Sequence, residues 1–140
     1  MFYVAQCYAL FAHKRAVEKE WQGSIEIIPI QGLPKLSEYA IIHKPSRTLI
    51  LTDLVFNVHE PMNGASRFFF KAYGAYERFG PTRLIQMMVK APDLFRSSLQ
   101  KICRADFDRV VMSHGRVLET NGMVEFKKAF DIFLDERLIS

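Results

Sequence analysis

Asp53 and His114 are the two residues on which chemistry could rest. Each stands where an apolar, β-rich run gives out, Asp53 at the end of "RTLILTD" and His114 at the end of "FDRVVMSHG". A carboxylate and an imidazole offered from neighbouring strand ends are a hard and a borderline ligand, and together they suit zinc, iron or manganese. His59 and Glu60 lie in the loop just past Asp53 and become a third and fourth ligand if that loop folds back over the strand end. Number is the difficulty, because a catalytic zinc takes about three protein ligands plus a water and a structural zinc about four. Each residue also has a plainer role. An aspartate leaving a strand caps the following loop through backbone amides, and a histidine before a glycine is a common strand exit. His59 and Glu60 read as solvated loop groups on the same footing.

The other reactive side chains carry weaker signals. His13 falls on the Leu10, Val17, Trp21 side of an expected helix and reads as a core or interface histidine; His43 sits beside a turn and reads as exposed. Arg116, two residues past His114, could hold an anionic substrate, although a surface pairing with Glu119 is the simpler role. Cys7 and Cys103 lie far apart among apolar neighbours without C-x-x-C spacing, so both read as reduced and buried. The glycines at 74, 80, 115 and 122 form no phosphate-binding loop, and no spacing argues for an activated serine or cysteine.

The elements that must position these groups can be read from the hydrophobic pattern. Residues 2 to 6 read as a short strand, and Leu10, Val17 and Trp21 mark an amphipathic helix closed by Gly23. "SIEIIPI" is a strand whose proline belongs at an edge or a bulge. "EYAIIH" and "RTLILTD", separated by "KPS", make a β-hairpin. After Asp53, "NVHEPMNGAS" is a loop, with Ser66 placed to cap the next helix. "RFFFKAYGAYERFG" and "TRLIQMMVK" read as two short helices, and "DLFRSSLQKIC" as a third with Phe95, Leu99 and Ile102 on one face. "FDRVVMSHG" is a single strand ending at His114 and Gly115. A last helix runs from about Met123 to Arg137 on a Phe126, Phe130, Phe133 stripe.

That order, strand, helix, three strands, several helices, strand, helix, is an α/β layered domain. The 140 residues make one domain, and with 49% apolar content they can build a packed core. The net charge of +4 is spread along the chain without a block of like charge, which gives a nucleic-acid partner no support. In "RFFFKAYGAYERFGPTRLIQMMVK" the interleaved aromatics and bases go round the helix, which suits burial between a sheet and a partner better than a nucleic-acid or membrane surface. The opening "MFYVAQCYALFAHKR" lacks the charged start and cleavage site of a leader and is too short to span a bilayer, so a cytoplasmic chain is expected.

The stretches "LILTDLVF" and "DRVVMSHG" resemble two motifs of the metallo-β-lactamase fold, in which one strand ends in a metal-bridging aspartate and a later one in a His-Gly pair. Through "HKPSRTLILTDLVFN", "YGAYERFGPTRL" and "DFDRVVMSHGRVLETNG", nearly the whole chain, from about Tyr3 to Phe133, is similar to the second half of an uncharacterised family related to that fold. The resemblance implies a single domain over residues 1–140, a partial metallo-β-lactamase-like layered sandwich, half of an αββα fold. It implies Asp53 as a bridging ligand, His114 as a terminal ligand, and the segment around residues 67–90 as a helical insertion over the metal site. The His-x-His-x-Asp-His run of that fold belongs to its first half and has no counterpart here, where the four histidines are His13, His43, His59 and His114. By resemblance alone the chain is a metal-dependent hydrolase, with metal-activated water as its nucleophile. The ligand deficit argues instead for a protein without hydrolase activity as an isolated chain. The alternative is a non-catalytic homodimeric module that binds a small ligand or a partner, covering the sheet surface that the other half would occupy. Metal completed by the 59–60 loop, metal completed by a second copy, and no metal at all stay open.

Overall fold

A hydrogen-bonded hairpin organises the molecule. The computed structural model describes residue 21, residues 23–59 and residues 63–135, and these residues form seven strands and five helices. The strands are β1 (Ile25–Ile30), β2 (Glu38–His43), β3 (Thr48–Ile50), β4 (Phe56–Asn57), β5 (Phe79–Gly80), β6 (Arg109–Val111) and β7 (His114–Gly115). The helices are α1 (Gly64–Ala72), α2 (Arg83–Met88), α3 (Pro92–Ile102), α4 (Gly122–Ala129) and α5 (Asp131–Leu134). The expected strand over residues 2–6, the helix from Leu10 up to Trp21, Cys7 and His13 lie outside the described residues, as does Glu60.

The expected hairpin is β2 and β3, antiparallel with Ile42 opposite Leu49. Its turn closes with Arg47 at φ 49°, a left-handed backbone that an arginine adopts only when its surroundings hold it there. Two contacts do so. The Arg47 guanidinium donates to both carboxylate oxygens of Asp106 at 2.9 and 2.8 Å, and its carbonyl accepts from the amides of Asp108 and Arg109. That guanidinium holds the Asp106 carboxyl below its ordinary range. Together these bonds dock β6 parallel to β3 and extend the sheet to β1-β2-β3-β6. β1 carries Pro29 at one end of this order, the edge position that a residue without an amide hydrogen favours.

Strand alternation puts Ile28, Ile30, Ala40, Ile42, Leu49 and Val110 on one face, all buried. Helix α3 covers that face at β1 with Phe95, Leu99 and Ile102, the stripe expected from sequence, each fully buried. Phe126 and Phe130 complete the core, edge-on to Phe107 and Phe95 respectively. Burial of each such ring stabilises the fold by about 1.5–3 kcal/mol. The expected last helix is two pieces, broken at Phe130 between α4 and α5, and Phe130 is the fully buried pivot.

Several expectations change. "RFFFKAYGAYERFG" is not one helix: α1 stops at Ala72, Gly74 takes φ 71°, and Phe79–Gly80 becomes β5 of a second sheet, order β5-β4-β7. Tertiary pairing with β4 outweighs a helical pattern interrupted by glycine. The helix begins at Gly64, so Ser66 lies in its first turn and not at its cap. In the single chain α1 is largely exposed, with Phe68 at 76%. Cys103 is half-buried and unpaired, and desolvation pushes its thiol up. Finally, "FDRVVMSHG" is not one strand, and that break builds the site.

Candidate functional site

β3 and β6 leave the first sheet together. Their parallel ladder ends where the Leu51 amide donates to the Val111 carbonyl at 2.9 Å. Beyond it the chain from β3 is taken by Glu38. This residue shares the inward phase of β2 with Ala40 and Ile42 and is 2% exposed. Its carboxylate accepts the Thr52 amide at 2.7 Å, the Thr52 hydroxyl, and the Asp53 amide at 3.2 Å. With its partner pulled away, β6 stops at Val111. The two chains then meet again as β4 and β7 in the second sheet, parallel, with Phe56 beside His114 and Asn57 beside Gly115.

The two crossings bring Asp53 and His114 together. Asp53 Oδ1 and His114 Nε2 are 2.8 Å apart, with side chains 51% and 44% exposed. The imidazole lies flat on Phe56, ring centroids 4.6 Å apart and planes 5° from parallel. A stacked ring and a backbone-anchored carboxylate are thus fixed side by side at the junction of the two sheets. Asn57 fixes the strand that follows His114. Its carbonyl accepts the Arg116 amide at 2.9 Å, and its amide side chain donates to the Arg116 carbonyl at 2.7 Å. Gly115 takes φ 107° against that same Asn57 carbonyl.

Of the other expected site residues, His59 turns its Nε2 to Asn57 Oδ1 at 2.9 Å. Among the described residues no group of three or more His, Cys, Asp or Glu side chains could hold a metal ion. Asp53 and His114 therefore supply two ligands where a zinc centre needs about four, and on the described residues of one chain the donor set does not fit a complete metal site. Glu119 is engaged by Arg109 at 2.9 Å. His43 is half-buried, with its Nδ1 2.6 Å from the Ser46 hydroxyl.

The residue missed from sequence is Glu38. A signal existed, since an acid two and four residues before Ala40 and Ile42 on an inward phase must find donors when buried. Asn57 was missed as well, hidden in what read as loop. Among the described residues no helix is long and apolar enough to cross a membrane. No family model, curated protein or solved structure matches the chain.

Proposed function

We propose that this chain is a metallo-β-lactamase-like module without hydrolase activity on its own, in which Asp53 and His114 are one half of a metal ligand set. The observation that carries the reading is the double crossing of parallel strands, which sets a carboxylate and an imidazole 2.8 Å apart at the sheet junction. Chemistry of the metal-hydroxide kind needs an ion held by about three protein ligands with one open position, and a pair does not supply them. The test is a set of ester, amide and phosphodiester reporters, run with and without added zinc or manganese, on the wild-type chain and on Asp53→Ala and His114→Ala. Background rates are expected throughout. Because the pair is half-exposed, either substitution changes folding stability by about 1 kcal/mol or less while metal uptake falls. Hydrolysis abolished by either substitution would refute the module; unfolding on either would make the pair a structural tie.

One observation favours the second reading, a homodimeric interaction module. On the face away from α3, Ile27, Ile41, Ile50 and Val111 stand in register across all four strands of the first sheet, each only partly covered. Apolar residues on both faces of a sheet suit a sheet covered on both sides. On this reading the chain sediments as a dimer in chelator, and Ile41→Asp returns it to a monomer; a wild-type monomer at micromolar concentration removes the reading.

A further inference from the structure

Helices α1 and α2 present exposed cations and apolar tips that the site at the sheet junction does not use. We propose that they form a docking surface for anionic lipid, with Phe68, Leu84 and Met87 entering the headgroup boundary of a negatively charged bilayer and Arg67, Lys71 and Arg83 meeting its headgroups. The inference is independent of the reading of Asp53 and His114.

Charge placement is the first support. The chain has 19 basic and 15 acidic residues without a run of like charge, yet residues 64–90 hold five of the basic ones, Arg67, Lys71, Arg78, Arg83 and Lys90, against one acid, Glu77. The whole net charge of +4 therefore falls in this segment, and the remainder of the chain is balanced. All five cations are exposed. Elsewhere several basic side chains meet carboxylates, as Lys44 meets Glu26, Arg47 meets Asp106 and Arg109 meets Glu119. Among the described residues no carboxylate pairs with any of the five.

Exposure is the second support. Burial was expected for this segment because its aromatics go round a single helix, and the fold removes that premise by dividing it into α1, β5 and α2. Phe79 of β5 packs against the core, and α2 turns Ile85 inward with Met88 beside it. Left outside are Phe68 at 76%, Met87 at 72% and Leu84 at 49%, the first two being the most exposed large apolar side chains among the described residues. The two helices are tied together, since the Arg83 amide donates to the Tyr73 carbonyl at 2.9 Å and the Arg83 guanidinium to the Ala72 carbonyl at 3.3 Å. α1 contains no acid, and Arg67 and Lys71, one turn apart, stand beside Phe68 on its surface. Apolar tips with cations at their sides are the pattern of a helix bound to an anionic membrane face. A protein partner would have to offer a shaped pocket to each protruding tip, whereas a fluid surface needs none.

The experiment is flotation of the full chain with vesicles of phosphatidylcholine alone and of phosphatidylcholine containing about one third phosphatidylserine. Binding at least about tenfold tighter to the anionic vesicles is expected, falling steeply with added salt, because each cation at such a surface strengthens binding about fivefold. The double variants Arg67→Glu/Lys71→Glu and Phe68→Ser/Met87→Ser, both at exposed positions and checked for folding by circular dichroism, are each expected to weaken it by about tenfold or more. Val124→Ser/Lys127→Glu, equally exposed on α4, is expected to leave it unchanged. Equal affinity for neutral and anionic vesicles, or no binding to either, overturns the proposal. So does anionic binding that survives both double variants, which places the contact elsewhere. Binding to polyglutamate without binding to vesicles gives the surface to an acidic protein and overturns the lipid assignment.

Discussion

Replacing Gly115 with alanine is expected to destabilise the protein by about 4 kcal/mol or more, enough to unfold much of a domain whose total stability is about 5–15 kcal/mol. Two costs combine. The residue sits at φ 107°, where an L side chain is strained by about 1–2 kcal/mol. A β-carbon there would also lie 2.2 Å from the Asn57 carbonyl oxygen, 2.3 Å from its carbon and 2.8 Å from the Val58 amide nitrogen. Those are backbone atoms of the paired strand, so no rotamer change relieves the overlap; β7 must separate from β4. Because His114 is the neighbouring residue of β7, separation also takes the imidazole off Phe56 and away from Asp53. Gly23→Ala provides the comparison. That glycine has φ 92° but open space around its missing β-carbon, so only the conformational cost of about 1–2 kcal/mol applies. Urea unfolding of both variants measures the difference, and equal losses at the two positions would show that the close approach of β4 and β7 at Gly115 is not a constraint.

How much of this arrangement could be read from the chain depended on whether the determining contact was local. The hairpin of β2 and β3 was legible because alternation and turn residues lie within a dozen positions, and the Phe95, Leu99, Ile102 stripe because helix periodicity is local too. Asp53 and His114 were recognisable as strand-end groups. Their meeting at 2.8 Å depends on β6 and β7 lying parallel to β3 and β4, a pairing across about sixty residues that periodicity does not encode. The break of "FDRVVMSHG" into two strands was illegible for the same reason: it falls where the partner chain turns to give its Thr52 and Asp53 amides to Glu38, a contact distant in sequence. β5 was missed because "YERFG" continues an apparently helical pattern, and only its pairing with β4 makes it extended. The ion pair of Arg109 with Glu119 was not read from the sequence, since β6 and the segment after β7 meet only in the fold.

Glu38→Ala should have the second large effect, a loss of about 3–5 kcal/mol in folding stability, and it should act on the site as well as on the fold. The buried carboxylate satisfies the Thr52 amide, the Thr52 hydroxyl and the Asp53 amide. Truncation leaves these donors facing a void, at about 1–3 kcal/mol for each one that water cannot reach. Glu38→Gln is the informative partner, since it keeps the volume and one acceptor oxygen but turns an amide donor toward groups that are themselves donors. A loss of about 2 kcal/mol is expected for it, with the chain still folded at 25 °C. In that folded variant Asp53 loses the anchor that fixes its backbone beside His114, and groups that orient a metal ligand typically contribute 10–100-fold to affinity. If Asp53 and His114 hold zinc as proposed, its retention by Glu38→Gln is expected to fall about tenfold, and Glu38→Asp, which restores the charge with a shorter reach, to recover part of it. The two readouts separate positioning from stability. A chemical denaturation curve reports the first effect, and zinc affinity measured well below the unfolding midpoint reports the second. If affinity were unchanged in a destabilised Glu38→Gln, the buried acid would serve the sheet junction alone, and Asp53 would owe its position to the hydrogen bond with His114.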